Sequence, residues 1–462
     1  MSVENKVLET IVGYHMLQRG DSVIVALSGG PDSVALLRLL QGLRARYQLT
    51  IRAVYINHNI RKQAARKEEK FCFRLCGKLG VELLLVAEDI PALAKANRQS
   101  IEQTARDFRY ETFERLANQY EAQRVALGHH VDDRVETVLF RIIRGTGTAG
   151  LRGIPPVRGR IVRPLYDLTK EEILAYLRRK RQSYCIDQSN LSEEYDRNFI
   201  RNRLLVDIRQ KLNPAVDRAL LSLSEIAVED EAFLQEYLLK RIKGIISETV
   251  GGKIELDLNK YNRYDKWFRR RLLRYCLAKL SASDMMPERA VVERLDEFCQ
   301  RGRKSLSLPD GIQAALAGDR AVVYHRGRTG YSVAIEPGKV CCLRTLRLNL
   351  RMSVHNRRTK PSTRRRRARV VEVDYEKLVP PFEVRNIRRG DRFRPLGMKG
   401  SKRVGDYLTD RKVHPVYRDE IPLVCDSRGV VWLVGFEISD HAKVDSTTRK
   451  VLKIGFSRRK ES

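Results

Sequence analysis

The sequence predicts an α/β protein: an N-terminal domain built on a parallel sheet, a mainly helical middle domain, and a small β-rich C-terminal domain. Three observations point there. Through the first 150 residues short apolar runs alternate with amphipathic stretches, the pattern of parallel strands joined by covering helices. From Asn213 to about Arg303 the apolar period is helical, and beyond about residue 330 short apolar runs alternate with turns. The chain has 462 residues, room for two to four domains at roughly 100–200 residues each.

Taken in order, Val23–Leu27 is a strand leading into the turn Ser28-Gly29-Gly30-Pro31-Asp32-Ser33. A helix follows, with apolar residues at Val34, Leu37, Leu40 and Leu43. Ile51–Ile56 and Val81–Val86 are further strands. Ser100–Ala117 reads as a helix, with Ser100 and Gln103 spaced as a capping box. Val125–Leu127 is a short strand, and Val131–Arg144 a helix closed by Gly145. Residues 151–210 look appended: Pro155-Pro156 and Pro164 break the pattern before a helix at Thr169–Arg181. Middle helices are expected at Val216–Ile246, Trp267–Leu280 and Pro287–Arg301, then short strands in Ser305–Tyr324. The stretch His355–Arg369 contains Arg364-Arg365-Arg366-Arg367 and reads as a basic loop. The expected domains are thus 1–210, 211–330, a basic linker at 331–381, and 382–462.

Composition bears on partners. The net charge is +32, which fits a polyanion such as nucleic acid or an anionic membrane. Residues 1–210 hold 35 Lys+Arg and 25 Asp+Glu, and the rest hold 54 and 32, so the surplus lies mainly outside the first domain. No apolar run approaches the ~18–20 residues of a membrane span. The start Met1–Lys6 lacks the basic-then-apolar pattern of a secretion signal, so a cytoplasmic location is expected. The eight cysteines are scattered, with no CxxC pair and no zinc spacing, and read as reduced core thiols.

The turn at 28–33 follows a buried strand and opens a helix, so it lies at the C-terminal edge of the sheet. Its glycines let the backbone approach phosphate oxygens, and Ser28 and Ser33 offer hydroxyls. The helix start adds N–H groups and the positive end of the dipole. It is neither a GxxxxGK[ST] loop nor a GxGxxG turn. A second cluster, Gly128-His129-His130-Val131-Asp132-Asp133-Arg134-Val135-Glu136, follows another strand. Asp133 and Glu136 lie at i, i+3 and can share a helix face, where carboxylates can hold Mg²⁺ against phosphates. His130 could act as a base or contact phosphate, and the sequence does not choose. Arg106 and Arg109 share one helix face and suit phosphate.

Taken together, these strings resemble the tRNA(Ile)-lysidine synthetases of the PP-loop ATP pyrophosphatase superfamily, whose N-terminal fold is adenine nucleotide alpha hydrolase-like. The match runs through SGGxDS at 28–33, Asn57-His58, SxExxARxxRY at 100–110 and GHHxDDxxETxLxRxxRG at 128–145. It continues through Arg163-Pro164-Leu165, Asp187-Gln188-Ser189-Asn190, Arg197-Asn198 and Arg201-Asn202-Arg203. At the other end it covers 389–402, including Asp391-Arg392-Phe393-Arg394-Pro395-Leu396-Gly397-Met398, and Trp432–Gly435. Relatives usually carry His-Val-Asp-His-Gly-Leu-Arg where this chain has Tyr55-Ile56-Asn57-His58-Asn59-Ile60-Arg61. SGGxDS relatives that thiolate tRNA usually display CxxC pairs, which are absent here.

The resemblance implies that ATP adenylates C2 of the wobble cytidine in a CAU-anticodon isoleucine tRNA, and that free lysine displaces AMP. By position, Ser28, Gly29, Gly30, Pro31, Asp32, Ser33 and His58 would bind ATP. Asp32 and Asp133 would bind Mg²⁺. Asp32, Arg106, Arg109, His130, Asp133 and Glu136 would be catalytic. Arg197, Arg201, Arg203, Arg364, Arg365, Arg392, Lys399 and Lys402 would contact tRNA. Membrane binding is not expected. The oligomeric state stays open, with a homodimer among the options.

Overall fold

The computed structural model describes residues 1–60, 62–185, 196–249, 251–281, 287–302, 304–325, 330–343, 346–357 and 369–458. It divides into two compact units, Met1–Phe233 and Leu234–Ser462. Among the described residues no helix is long and apolar enough to cross a membrane.

The first unit opens with α1 (Val3–Gly13), β1 (Ser22–Ala26), α2 (Pro31–Tyr47), β2 (Thr50–Asn57), α3 (Lys62–Leu79) and β3 (Glu82–Ala87). Next come α4 (Ile90–Asn97), α5 (Ile101–Gln119), β4 (Arg124–Ala126), α6 (Val131–Ile143), α7 (Thr148–Leu151), β5 (Val157–Arg158), β6 (Ile161–Val162) and α8 (Lys170–Arg179). The run closes with α9 (Asp196–Phe199), a π-helical turn at Ile200–Leu204, α10 (Leu205–Lys211) and α11 (Val216–Arg241), whose last residues, from Leu234 on, belong to the second unit. The strands form one sheet in the order β3-β2-β1-β4-β6-β5. All neighbours are parallel except the β5–β6 pair.

The period of two explains the layers. Val23 and Val25 of β1 join Leu36, Leu37 and Leu40 of α2 in one core, while Ile24 points to the other face and packs with Phe113 and Leu116 of α5. Each such fully buried side chain contributes roughly 1.5–3 kcal/mol. The sheet is therefore covered on both sides, as a parallel sheet requires. Strand order reverses between β1 and β4, and ligand crevices open at such a switch point.

Two local features differ from the sequence expectation. Ser100 caps α5 by accepting from the Gln103 amide at 3.2 Å, but the Gln103 side chain donates to Asp107 rather than back to Ser100. A reciprocal capping box forms instead at Thr169 and Glu172, opening α8.

The second unit begins with β7 (Ile246–Glu248), β8 (Ile254–Asp257), α12 (Leu258–Tyr261), α13 (Lys266–Leu280), α14 (Arg289–Arg301), β9 (Ser305–Ser307), β10 (Ile312–Ala317) and β11 (Arg320–His325). The middle region thus combines its helices with a sheet and is not clearly mainly helical. A five-stranded antiparallel sheet, β7-β8-β11-β10-β9, packs against α13 and α14 through Leu272, Leu273, Val292, Leu295, Ala314 and Val323. The helix expected to reach Ile246 stops at Arg241, and Gly244 at φ 84° turns the chain into β7. β9 to β11 fall among the short strands expected in Ser305–Tyr324, whereas β7 and β8, of three and four residues, are too short to announce a period against the long helices beside them.

The remainder comprises β12 (Ser332–Ile335), β13 (Val340–Leu343), β14 (Leu348–Asn356), β15 (Val370–Asp374), β16 (Phe382–Arg385), β17 (Arg392–Phe393), β18 (Lys402–Arg403), α15 (Val404–Asp410), β19 (Leu423–Asp426), β20 (Gly429–Leu433) and β21 (Lys450–Arg458). Two four-stranded sheets, β12-β16-β19-β20 and β13-β14-β21-β15, enclose a core that includes Leu350, Met352, Val384 and Trp432. The stretch 331–381, expected as a linker, supplies four of these strands. Its alternation at Leu348, Leu350 and Met352 is a half-buried strand, masked in the sequence by the neighbouring arginines. The basic run Arg364–Arg367 lies outside the described residues.

Candidate active site

The Gly-rich turn leaves β1 and enters α2 at the switch point. Gly29 sits at φ 86°, where only glycine is relaxed, and Gly30 is the N-cap of α2 with Pro31 at its first position. The serines brace the turn. Ser33 Oγ donates to the Gly30 carbonyl at 2.9 Å and accepts from the Ser28 amide at 3.2 Å. The chain after β4 crosses close by: a Cβ on Gly128 would stand 3.2 Å from the Asp32 carbonyl carbon. That closeness brings the second motif against the first.

His130 is buried at the entrance to α6. Its backbone amide donates to Asp133 Oδ2 at 3.0 Å, and its Nδ1 lies 3.2 Å from Asp132 Oδ2. Its Nε2 faces two carboxylates, Asp32 Oδ1 and Asp133 Oδ2, each at 3.6 Å. Burial alone would lower the imidazole pKa, but the Asp132 hydrogen bond and the charges of Asp133 and Asp32 raise it above the ordinary value. Burial likewise opposes the Asp132 charge, yet His130 and the Lys170 amide hold that carboxyl below its usual range.

Two further cations close the cluster. The Lys170 ammonium donates to Asp32 Oδ1 at 2.6 Å, and the Lys170 backbone amide donates to Asp132 Oδ2 at 3.0 Å. Arg201 donates through Nε and Nη2 to the buried Glu136, the latter at 2.8 Å, and through Nη2 to Asp133 Oδ1 at 3.3 Å. Burial opposes the guanidinium charge, but Glu136, Asp133 and Asp32 push its pKa above the ordinary value. Arg201, expected on the tRNA surface, thus stands among the acids of the chemistry motif. Lys170 carries no signal of its own in the sequence, where it is one lysine at a helix start. The Thr169–Glu172 spacing marks that helix start, and only the fold carries it to Asp32.

His58 directly follows β2, packs edge-on to Phe108 at 6.4 Å, and has Nδ1 buried with no hydrogen-bond partner among the described residues. Burial, with Arg109 in support, lowers its pKa to about 4. Arg106 and Arg109 are exposed on α5, Arg106 lying over the Tyr110 ring at 5.8 Å. Arg163 is buried, bonding the Pro155 carbonyl at 2.7 Å and His129 Nδ1 at 3.3 Å.

The other expected tRNA contacts lie apart. Arg203 is exposed over the Phe199 ring. Arg392 and Lys399 are exposed in the second unit, Arg392 bonding Ser401, and Lys402 pairs with Asp410. The side chain of Arg197, and Arg364 and Arg365 entirely, lie outside the described residues. So do Asp187–Asn190.

Comparison with known proteins agrees across the chain. A family model described as a PP-loop domain matches residues 2–208, and one described as the TilS substrate C-terminal domain matches 382–454. The chain is similar to the tRNA(Ile)-lysidine synthase of Caldanaerobacter subterraneus subsp. tengcongensis, 32% identical over 98% of this chain and 97% of that one. It is 33% identical to that of Symbiobacterium thermophilum over 100% and 99% of the two chains. Among solved structures, the U34-tRNA thiolase NcsA from Methanococcus maripaludis superposes at TM-score 0.42 with 20% identity, covering 49% of this chain and 78% of that one.

Proposed function

The chain belongs to the tRNA(Ile)-lysidine synthase family, and on that footing we propose that it ligates free L-lysine to C2 of the wobble cytidine in CAU-anticodon tRNA(Ile). The product, lysidine, reads AUA instead of AUG and shifts the tRNA from methionine to isoleucine. In the first step the C2 carbonyl oxygen attacks the α-phosphorus of ATP. An O–P bond forms, the α–β anhydride breaks, and pyrophosphate leaves. In the second the lysine amine attacks C2. A C–N bond forms, the C–O bond breaks with AMP carrying the oxygen away, and the amine gives up a proton.

The observation that carries the reading is the meeting of Asp32 and Asp133 on one face of His130, each 3.6 Å from Nε2, where the Gly-rich turn opens. The turn suits triphosphate, with relaxed glycine backbone and the N-terminus of a 17-residue helix. The Nδ1 of His58, without a partner among the described residues, is a buried polar group suited to a bound molecule. The raised pKa of His130 favours phosphate contact over proton abstraction, and the lysine amine is assigned to the acids, Asp133 and Glu136. Lys170 and Arg201 set the charge and position of Asp32 and of the Asp133–Glu136 pair.

Among the described residues no three His, Cys, Asp or Glu side chains form a ready metal-holding group. Asp32 and Asp133 still suit Mg²⁺, which is commonly bound by one or two carboxylates, with phosphate oxygens and water as the other ligands. Such an ion would neutralise pyrophosphate charge. Residues 211–330 and 382–462 are assigned to tRNA positioning; together with the stretch between them they carry a net charge of +22. A cytoplasmic location fits this substrate, and the proposal does not depend on dimerisation.

The test is incubation with ATP, Mg²⁺, labelled lysine and CAU-anticodon tRNA, followed by nucleoside analysis. Label in the wobble nucleotide is expected. Folded protein and intact tRNA without incorporation would overturn the proposal.

A further inference from the structure

An aromatic and cationic patch lies in the second unit, outside every motif of the candidate active site. Trp267, on the first turn of α13, is 53% exposed, although large apolar rings are normally buried. Its ring meets Tyr237 of α11 at 6.0 Å with planes inclined 38°, and its sequence neighbour Phe268 at 6.0 Å. Phe268 is buried in the core and anchors that turn. The Arg241 guanidinium lies 3.5 Å over the Tyr237 ring, one helical turn along α11. Arg241 is exposed, and so are Arg263, Asp265 and Lys266, which lie within four residues of Trp267 in the sequence. Core packing explains Phe268. It does not explain a tryptophan held half in water beside an arginine-backed tyrosine.

We propose that Trp267, Tyr237 and Arg241 form a stacking platform for an unpaired base of the tRNA. The proposal rests on the lysidine reading and deepens it, since it states which feature of the RNA this surface takes. A flat exposed indole offers a face to any base, and the guanidinium stacked on the neighbouring Tyr237 adds a cation beside it. Flanking Arg263 and Lys266 suit the phosphates on either side, whereas a paired duplex hides its base faces and offers phosphates alone.

The chain contains two tryptophans, and Trp432 is fully buried, so intrinsic fluorescence separates the platform from the rest. Full-length protein is titrated with CAU-anticodon tRNA, with a short single-stranded oligoribonucleotide and with a blunt RNA duplex of equal charge, while filter binding reports affinity independently. Quenching by tRNA and by the single strand is expected, but not by the duplex. Trp267→Phe should abolish the quench and keep most of the affinity. Trp267→Ala should weaken tRNA binding about tenfold, and Arg241→Ala should weaken it less. Circular dichroism checks that each variant folds. Saturable tRNA binding without a quench, an equal quench by the duplex, or unchanged affinity in Trp267→Ala would each overturn the platform and leave the lysidine reading standing. Absent tRNA binding by the wild-type protein would instead remove the reading on which the platform rests.

Discussion

At the scale of single residues the site is a balance of charges. Asp32 is held by Lys170, and Asp133 and Glu136 by Arg201, so removing one partner leaves the other in poorly solvated surroundings. Lys170→Ala is expected to slow ATP-dependent pyrophosphate release about 100-fold, the scale of losing one electrostatic partner at a reacting group. Filter-binding affinity for tRNA should stay unchanged. Asp133→Asn should abolish lysine incorporation while tRNA binding persists, and full activity in that variant would remove Asp133 from its role. His58 makes a separate prediction about acid. Its pKa is about 4 in the folded chain against ~6.5 for a free imidazole. The unfolded chain therefore binds more protons between those values, and stability falls as pH drops through that window. At the low end the loss, discounted for the solvent that screens this half-buried ring, is about 1–2 kcal/mol. His58→Gln should flatten it, as read from urea midpoints at neutral and at acid pH.

At the scale of elements, β1 with its turn and α6 with its acids carry signals within a dozen residues. Their strand–turn–helix order was therefore legible in the sequence. What stayed hidden depends on contacts between distant segments. Lys170 reaches Asp32 across 138 positions and Arg201 reaches Glu136 across 65, distances that no local period encodes. The short strands β7 and β8 were lost beside α11 and α13 for a related reason, since pairing partners stabilise a strand of three or four residues and its own pattern hardly does. The junction of the two site elements is itself testable. Gly128→Ala would push a methyl to 3.2 Å from the Asp32 backbone, and that backbone cannot yield as a flexible side-chain tip would. The KM for ATP in pyrophosphate release should rise about tenfold with tRNA affinity intact.

Across the whole molecule the charge separates chemistry from grip. The first 210 residues carry a surplus of +10 and the others +22. Salt dependence of tRNA binding reports how many phosphates that surplus neutralises. Replacing exposed Arg392 and Lys399 by Gln should weaken binding and reduce the slope of log K against log salt by about one unit for each phosphate no longer neutralised. Neutralising Arg364–Arg367 should do the same, and an unchanged slope would show that run to be an idle solvated stretch. In neither case should lysine incorporation at saturating tRNA change.

The strand order also sets a sequence of events during synthesis. β1 emerges early and pairs with β2 at once, but its other neighbour, β4, lies at residues 124–126, and β4 in turn waits for β6 at 161–162. Until then the Gly-rich turn sits on a half-sheet with an open, apolar edge, the kind of surface that chaperones cover and that nascent chains aggregate through. A ribosome stalled near residue 120 would hold a fragment carrying a complete phosphate loop with Asp32 but none of the acids of α6. Such a fragment should be insoluble on release, and extension past residue 180 should rescue it.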